Sequence, residues 1–184
     1  QYDVQWKFIS LKFLNEDKMD YSKMPEGYAA IHAAGTNGLR VAARARAEQG
    51  NVACGAVYTA LGTSLHNNQE REKFVADPVA HIASLLTAAG LPAAWAESAL
   101  DDSFDALIRE ETELALERTG KDVGTPILTF HPGAAKEASF FGPVIAEIPR
   151  GDAALKLWDA VETVATTSGM AELKRSLRSR PNFK

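Results

Sequence analysis

Apolar and polar residues alternate at the start of the chain, where Val4, Trp6 and Phe8 stand against Gln5 and Lys7, and the phase then moves to Ile9, Leu11 and Phe13. Period two predicts a β-strand over Val4 to Leu14, and the shift predicts burial on both faces or a bulge. From Glu16 to Pro25 the chain turns polar and closes on Met24-Pro25-Glu26-Gly27, a loop signal ahead of a helix. A helical period follows and holds to about Gly120. It predicts helices over Tyr28 to Gln49, Val52 to His66, Pro78 to Ala89, Pro92 to Leu100 and Ser103 to Thr119. Their limits fall at Gly50-Asn51, Asp77-Pro78, Gly90-Leu91-Pro92, Asp101-Asp102 and Gly120. Gly35-Thr36-Asn37-Gly38 interrupts the first helix. It has no strand before it and no third glycine, so it reads as a helix break and not as a dinucleotide fingerprint.

After Gly120 the pattern returns to β. Val123 to Phe130 and Ala138 to Val144 are short apolar runs joined through His131-Pro132-Gly133, most simply an antiparallel hairpin. Gly151-Asp152 then opens a helix whose Leu155, Trp158, Val161 and Ala165 form one apolar stripe suited to lie on a sheet. Phe140, Phe141, Trp6 and Trp158 are the expected packing between sheet and terminal helix. Leu173 to Lys184 is basic and reads as a frayed tail. The order is one strand, a long helical block, two strands and a helix. A crossover needs only a dozen or so residues, so a helical block of about 100 residues reads as an insertion into an α/β scaffold.

Composition narrows the classes. With 184 residues and 46% hydrophobic positions the chain can bury one good core. The net charge of −4 repels a phosphate backbone, which argues against nucleic acid. No apolar run approaches the ~20 residues of a bilayer span, so no membrane partner is expected. The first residue is Gln, and a strand pattern begins within three residues of it, which suggests that the sequence starts partway into a gene product. A single cysteine, Cys54, excludes an internal disulfide, a four-Cys zinc site and a Cys-x-x-Cys pair within these residues. Cys54 lies inside a helix between Ala53 and Gly55, where a thiol is usually an inert packing residue. The four histidines, His32, His66, His81 and His131, show no metal-ligand spacing, and no metal is expected. Arg40, Arg44 and Arg46 are placed to attract an anionic thiol conjugate, although a solvated helix face is the commoner use of such a row.

The most specific string is Val123-Gly124-Thr125-Pro126-Ile127-Leu128-Thr129-Phe130. A proline at the first position of a buried strand needs no N–H there, and X-Pro is the one bond that adopts cis at low cost. The string stands in order with Ser10-Leu11, Leu14-Asn15-Glu16 and Leu65-His66-Asn67 before it. Phe140-Phe141-Gly142-Pro143-Val144, Ile148-Pro149-Arg150-Gly151 and Lys156-Leu157-Trp158-Asp159 follow it. That arrangement resembles the DsbA-like thioredoxin-fold oxidoreductases, and within them the mycothiol-dependent, FrnE-like reductases. The likeness is strongest over Val123 to Asp159 and weakest over Met19 to Gly38.

The resemblance implies an α/β, thioredoxin-like fold with a large all-helical insertion: residues 1–15 and 121–184 form the thioredoxin-like domain and 16–120 the lid. It implies a cytoplasmic thiol-disulfide oxidoreductase working through a low-molecular-weight thiol such as mycothiol, with no tightly bound cofactor. The partner is a small-molecule thiol or disulfide, and a homodimer is among the states it allows. By resemblance Thr125, Pro126, His66 and Tyr28 bind the substrate or thiol, with the lid folding His66 over Pro126. His66 also suits a plain role at a helix C-terminus, beside the dipole, and Tyr28 suits ordinary packing. The family's Cys-Pro-Trp-Cys helix is expected upstream of Gln1, because its thiolate is the nucleophile and no residue here replaces it. Two alternatives stay open, a kappa-class glutathione-transferase or isomerase-like enzyme and a redox-dead binding module.

Overall fold

The computed structural model describes residues 2–16, 20, 23–25, 27–177 and 179–182. Most of the polar connection between Glu16 and Gly27 lies outside them, as do three residues of the basic tail. The fold is mixed α/β, mostly helical with a small antiparallel sheet, consistent with a thioredoxin-like fold carrying a helical insertion. Two compact units divide the chain, Gln1–Glu113 and Leu114–Lys184.

The first unit contains α1 (Leu11–Asn15), α2 (Tyr28–Gly62), a π-helical turn (Thr63–Asn67), α3 (Arg71–Ala76) and α4 (Pro78–Ala88). Two 3-10 segments, Ala93–Leu100 and Asp102–Phe104, lead into α5 (Asp105–Thr119), inside which the unit boundary falls. The 35-residue α2 is two helices in sequence terms. Gly50 has φ 78° and ψ −170°, a left-handed φ that glycine adopts without a Cβ penalty, and it parts them at the predicted place. No break occurs at Gly35 to Gly38. The helix runs on through these residues, and Gly38 lies close against Leu61: a Cβ on it would stand 3.3 Å from the Leu61 Cδ1. Asp77 caps α4 by accepting from the Ala80 N–H at 3.0 Å, with Pro78 in the first turn where no N–H is needed. Pro92 to Leu100, expected as an α-helix, winds as 3-10, and α3 carries too short an apolar pattern to have been predicted.

The core of this unit gathers Val41, Val57, Ile82, Leu86, Trp95 and Ile108, all at most 2% exposed. Trp95 is the largest, and its indole N–H donates to a Glu48 carboxylate oxygen at 2.5 Å.

The N-terminal segment differs from the expected strand. Residues 2–10 are without regular ladder partners among the described residues, and the phase shift marks the start of α1, not a bulge. Side chains take the place of a neighbouring strand. The Trp6 N–H donates to Asn51 Oδ1 at 2.8 Å, the Phe8 N–H to Glu111 Oε2 at 2.9 Å and the Ser10 N–H to Thr112 Oγ1 at 3.1 Å. Every second residue is thus fixed to α2 or α5, which is the period the sequence shows. Ser10 then caps α1, its Oγ accepting from the Phe13 N–H at 3.3 Å. Trp6 also corrects its predicted place. It stacks on Tyr58 of α2 with ring centroids 4.9 Å apart and lies against Gly55, where a Cβ would come within 2.7 Å of its Nε1.

The second unit holds β1 (Ile127–Phe130), β2 (Ala138–Phe141) and α6 (Gly151–Thr166). The strands pair antiparallel, with Ile127 opposite Phe141 and Phe130 opposite Ala138. Phe130 is buried and meets Trp158 of α6 at 5.6 Å between ring centroids, so the face of Leu128, Phe130 and Phe140 is the one turned to the helix. Leu155 does not belong to the stripe; it is 66% exposed, while Leu157, Trp158, Val161 and Ala165 carry the contact. Leu155→Gln is accordingly expected to change the unfolding free energy by less than about 0.5 kcal/mol in urea. A loss above about 1.5 kcal/mol would return Leu155 to a buried face. The tail is irregular but not wholly detached, since the Asn182 N–H donates to the Ala146 carbonyl at 2.7 Å.

Candidate functional site

Thr125 and Pro126 stand immediately before β1 and are exposed. The Thr125–Pro126 peptide is cis, and so is Gly142–Pro143 at the far end of β2, a second cis bond that the sequence reading did not single out. The Pro126 carbonyl accepts from the Gly142 N–H at 2.8 Å, which extends the hairpin by one pair. Among the described residues no group bonds the N–H or the C=O of Thr125. Gly124 precedes it and lies tight against Phe141: a Cβ would meet the ring at 3.2 Å, so the ring would have to give way to a side chain. The Thr125 backbone donor and acceptor thus take no part in the hairpin.

His66 and Tyr28 belong to the first unit. His66 is exposed on the π-helical turn that ends α2, a rare geometry. Tyr28 opens α2, half-buried, its ring 4.5 Å from that of His32 one turn on. Thr125 and Pro126 are thus placed in one unit and His66 and Tyr28 in the other, each set described within its own.

The arginine row is not a free cationic surface. Arg40 grips Asp105 through both of its paired nitrogens at 2.7 Å, Arg44 pairs with Glu48, and Arg46 pairs with Glu111 at 2.9 Å. Arg44 with Glu48 is the solvated helix face that the sequence reading gave as the commoner use, whereas Arg40 and Arg46 are turned onto largely buried carboxylates. Spacing could not show this, because Asp105 and Glu111 lie 65 residues away in the chain.

Cys54 is 2% exposed inside α2, and burial pushes its thiol above the ordinary range despite the nearby Arg46 guanidinium. A thiol held protonated and out of reach of solvent is neither nucleophile nor leaving group. Among the described residues no three His, Cys, Asp or Glu side chains gather as a metal site. Nor is any helix long and apolar enough to cross a membrane.

A mixed α/β fold with a helical block ahead of a small antiparallel sheet is consistent with a thioredoxin-like fold carrying a helical insertion. A family model described as "Rv2466c-like: Mycothiol-dependent nitroreductase Rv2466c" matches residues 1–175. The chain belongs to that family, an enzyme family of mycothiol-linked oxidoreductases.

Proposed function

We propose that the protein is a DsbA-like thiol-disulfide oxidoreductase that draws electrons from mycothiol and passes them to a small disulfide or nitro compound in the cytoplasm, where such thiols stay reduced. The match of the mycothiol-dependent family over residues 1–175 carries this reading. In it residues 1–15 with 121–184 form the thioredoxin-like part and 16–120 the lid. The Thr125 backbone and Pro126 hold the thiol, and His66 and Tyr28 contribute from the helical part. For a nitro acceptor the balance is two thiols oxidised to one disulfide, the two electrons and two protons converting R–NO2 to R–NO and water. Exchange needs an attacking and a resolving thiol; buried Cys54 suits neither role, and this reading requires a Cys-x-x-Cys pair joined to the chain ahead of Gln1.

The test is mycothiol-coupled reduction of a nitroaromatic by residues 1–184 and by the same chain extended upstream. The short chain is expected to be inactive and the extended one active, with Cys54→Ala in the latter changing turnover by no more than about twofold. A loss from Cys54→Ala on the order of hundreds-fold would place the chemistry in the helical part and overturn the reading. Mycothiol binding without turnover in the extended chain would make it a binding module.

A further inference from the structure

The π-helical turn that presents His66 is held by a polar cluster that no part of the reading above uses. Ser64, 1% exposed, sits inside the turn. Its Oγ lies 2.7 Å from Glu70 Oε2 and 3.0 Å from His81 Nε2. Glu70 precedes α3 and His81 lies on α4, so one hydroxyl ties three successive elements. Two backbone bonds close the same loop: the Asn68 N–H donates to the Thr63 carbonyl and the Glu70 N–H to the Ser64 carbonyl, both at 3.0 Å.

Counting protons fixes the direction of each bond. Lys73, and after it Ser64, hold the Glu70 carboxyl down at about 2, so it is an acceptor only. The single Ser64 proton therefore goes to Glu70. The hydroxyl oxygen is left to accept, and His81 must carry its proton on Nε2. Ser64 is thus not a nucleophile activated by a histidine base, because the histidine nitrogen facing it is a donor. The ring of His81 is fixed on another side by the Phe74 ring, edge-on at 4.6 Å.

We propose that Ser64, Glu70 and His81 are positioning residues that lock the π-helical turn and thereby set the direction in which His66 is presented. The importance of that direction rests on the functional reading of His66; the lock itself does not. Each of the three elements would otherwise be free to rewind the turn as ordinary α-helix, which would rotate His66 by a residue's worth of turn. Glu70 is the acceptor that orients the hydroxyl, and His81 is the donor that occupies its remaining lone pair.

Nitrogen-detected NMR of the imidazoles and amide hydrogen exchange test this on the protein as it stands. The expected result is an Nε2–H tautomer for His81. In Ser64→Ala, exchange at the Asn68 and Glu70 amides should rise roughly tenfold or more, for the loss of one buried hydrogen-bond network. The His66 ring signals should move as well, while amides around Val57 stay as they were. Glu70→Gln, whose carbonyl still accepts from Ser64, should keep the wild-type pattern where Glu70→Leu loses it. A His81 Nδ1–H tautomer, or Ser64→Ala with His66 signals and both amides unchanged, would overturn the lock. His66→Ala in the extended, active enzyme tests the other reading separately: full turnover there with the NMR signatures intact removes the role of His66 and leaves the lock standing.

Discussion

Glu111→Ala is expected to lower the stability of the chain by about 3 to 5 kcal/mol, the usual cost of removing one partner from a buried ion pair. Glu111 is 6% exposed and accepts from Arg46 Nη2 at 2.9 Å, Lys7 Nζ at 3.0 Å and the Phe8 N–H at 2.9 Å. Deleting the carboxylate takes the ion-pair partner from Arg46, which keeps the Trp6 carbonyl at 2.7 Å, leaves the buried Phe8 N–H without its acceptor, and loosens the segment that leads into α1. The measurement is the urea midpoint at constant m-value, so that the change reports stability and not compactness. The same group sets a pH dependence. Burial works to raise its pKa, but Arg46, the Phe8 N–H and Lys7 outweigh it and hold the carboxyl below the ordinary 4.5. A depressed pKa contributes stability that is complete above the ordinary value and disappears as pH falls through the folded one. Glu111→Gln should therefore cost stability at pH 7 and flatten the loss of stability below about pH 4.5. Equal acid sensitivity in the variant would show that other carboxylates govern that range.

Trp95→Ala should cost a similar amount, about 3 to 5 kcal/mol, through lost burial and an incompletely closed cavity. Trp95 is 2% exposed on the 3-10 segment Ala93–Leu100, which packs against both α2 and α4. Its removal loosens the contact of two helices at once. Trp95→Phe keeps most of the ring volume but gives up the N–H bond to Glu48, and should recover more than half of the loss. If Phe were as damaging as Ala, the hydrogen bond and not the volume would be the larger contribution.

The helix limits were legible wherever a residue acts alone. Gly50 tolerates positive φ, Asp77-Pro78 caps and opens α4, and Gly120 closes α5, and each does so through its own backbone chemistry. The hairpin was legible for the same reason, in its apolar runs and its turn. What could not be read depends on pairs far apart in sequence. Alternation at Trp6, Phe8 and Ser10 reports that one side is occupied, but not that the occupants are Asn51, Glu111 and Thr112. Gly38 looked like a break because its missing side chain was visible and Leu61 was not. At the candidate site Thr125, Pro126 and His66 could be named from motifs, while the lock under His66 could not, since no spacing rule distinguishes a π-helical turn from the end of an α-helix.

The side chain of Asn51 carries a consequence for how the N-terminal segment keeps its register. Its carboxamide accepts from the Trp6 N–H and donates to the Val4 carbonyl, the two bonds that one residue of a parallel neighbour makes, through its C=O and N–H, to the residues on either side of its opposite number. A single amide on a helix thus impersonates one link of an adjoining chain, centred on Gln5. A backbone ladder is indifferent to composition and lets a strand slip by two residues. This substitute is not: only a group with donor and acceptor side by side fits, and a carboxylate there would set oxygen against oxygen at Val4. The register of the segment is written into the chemical identity of its neighbours.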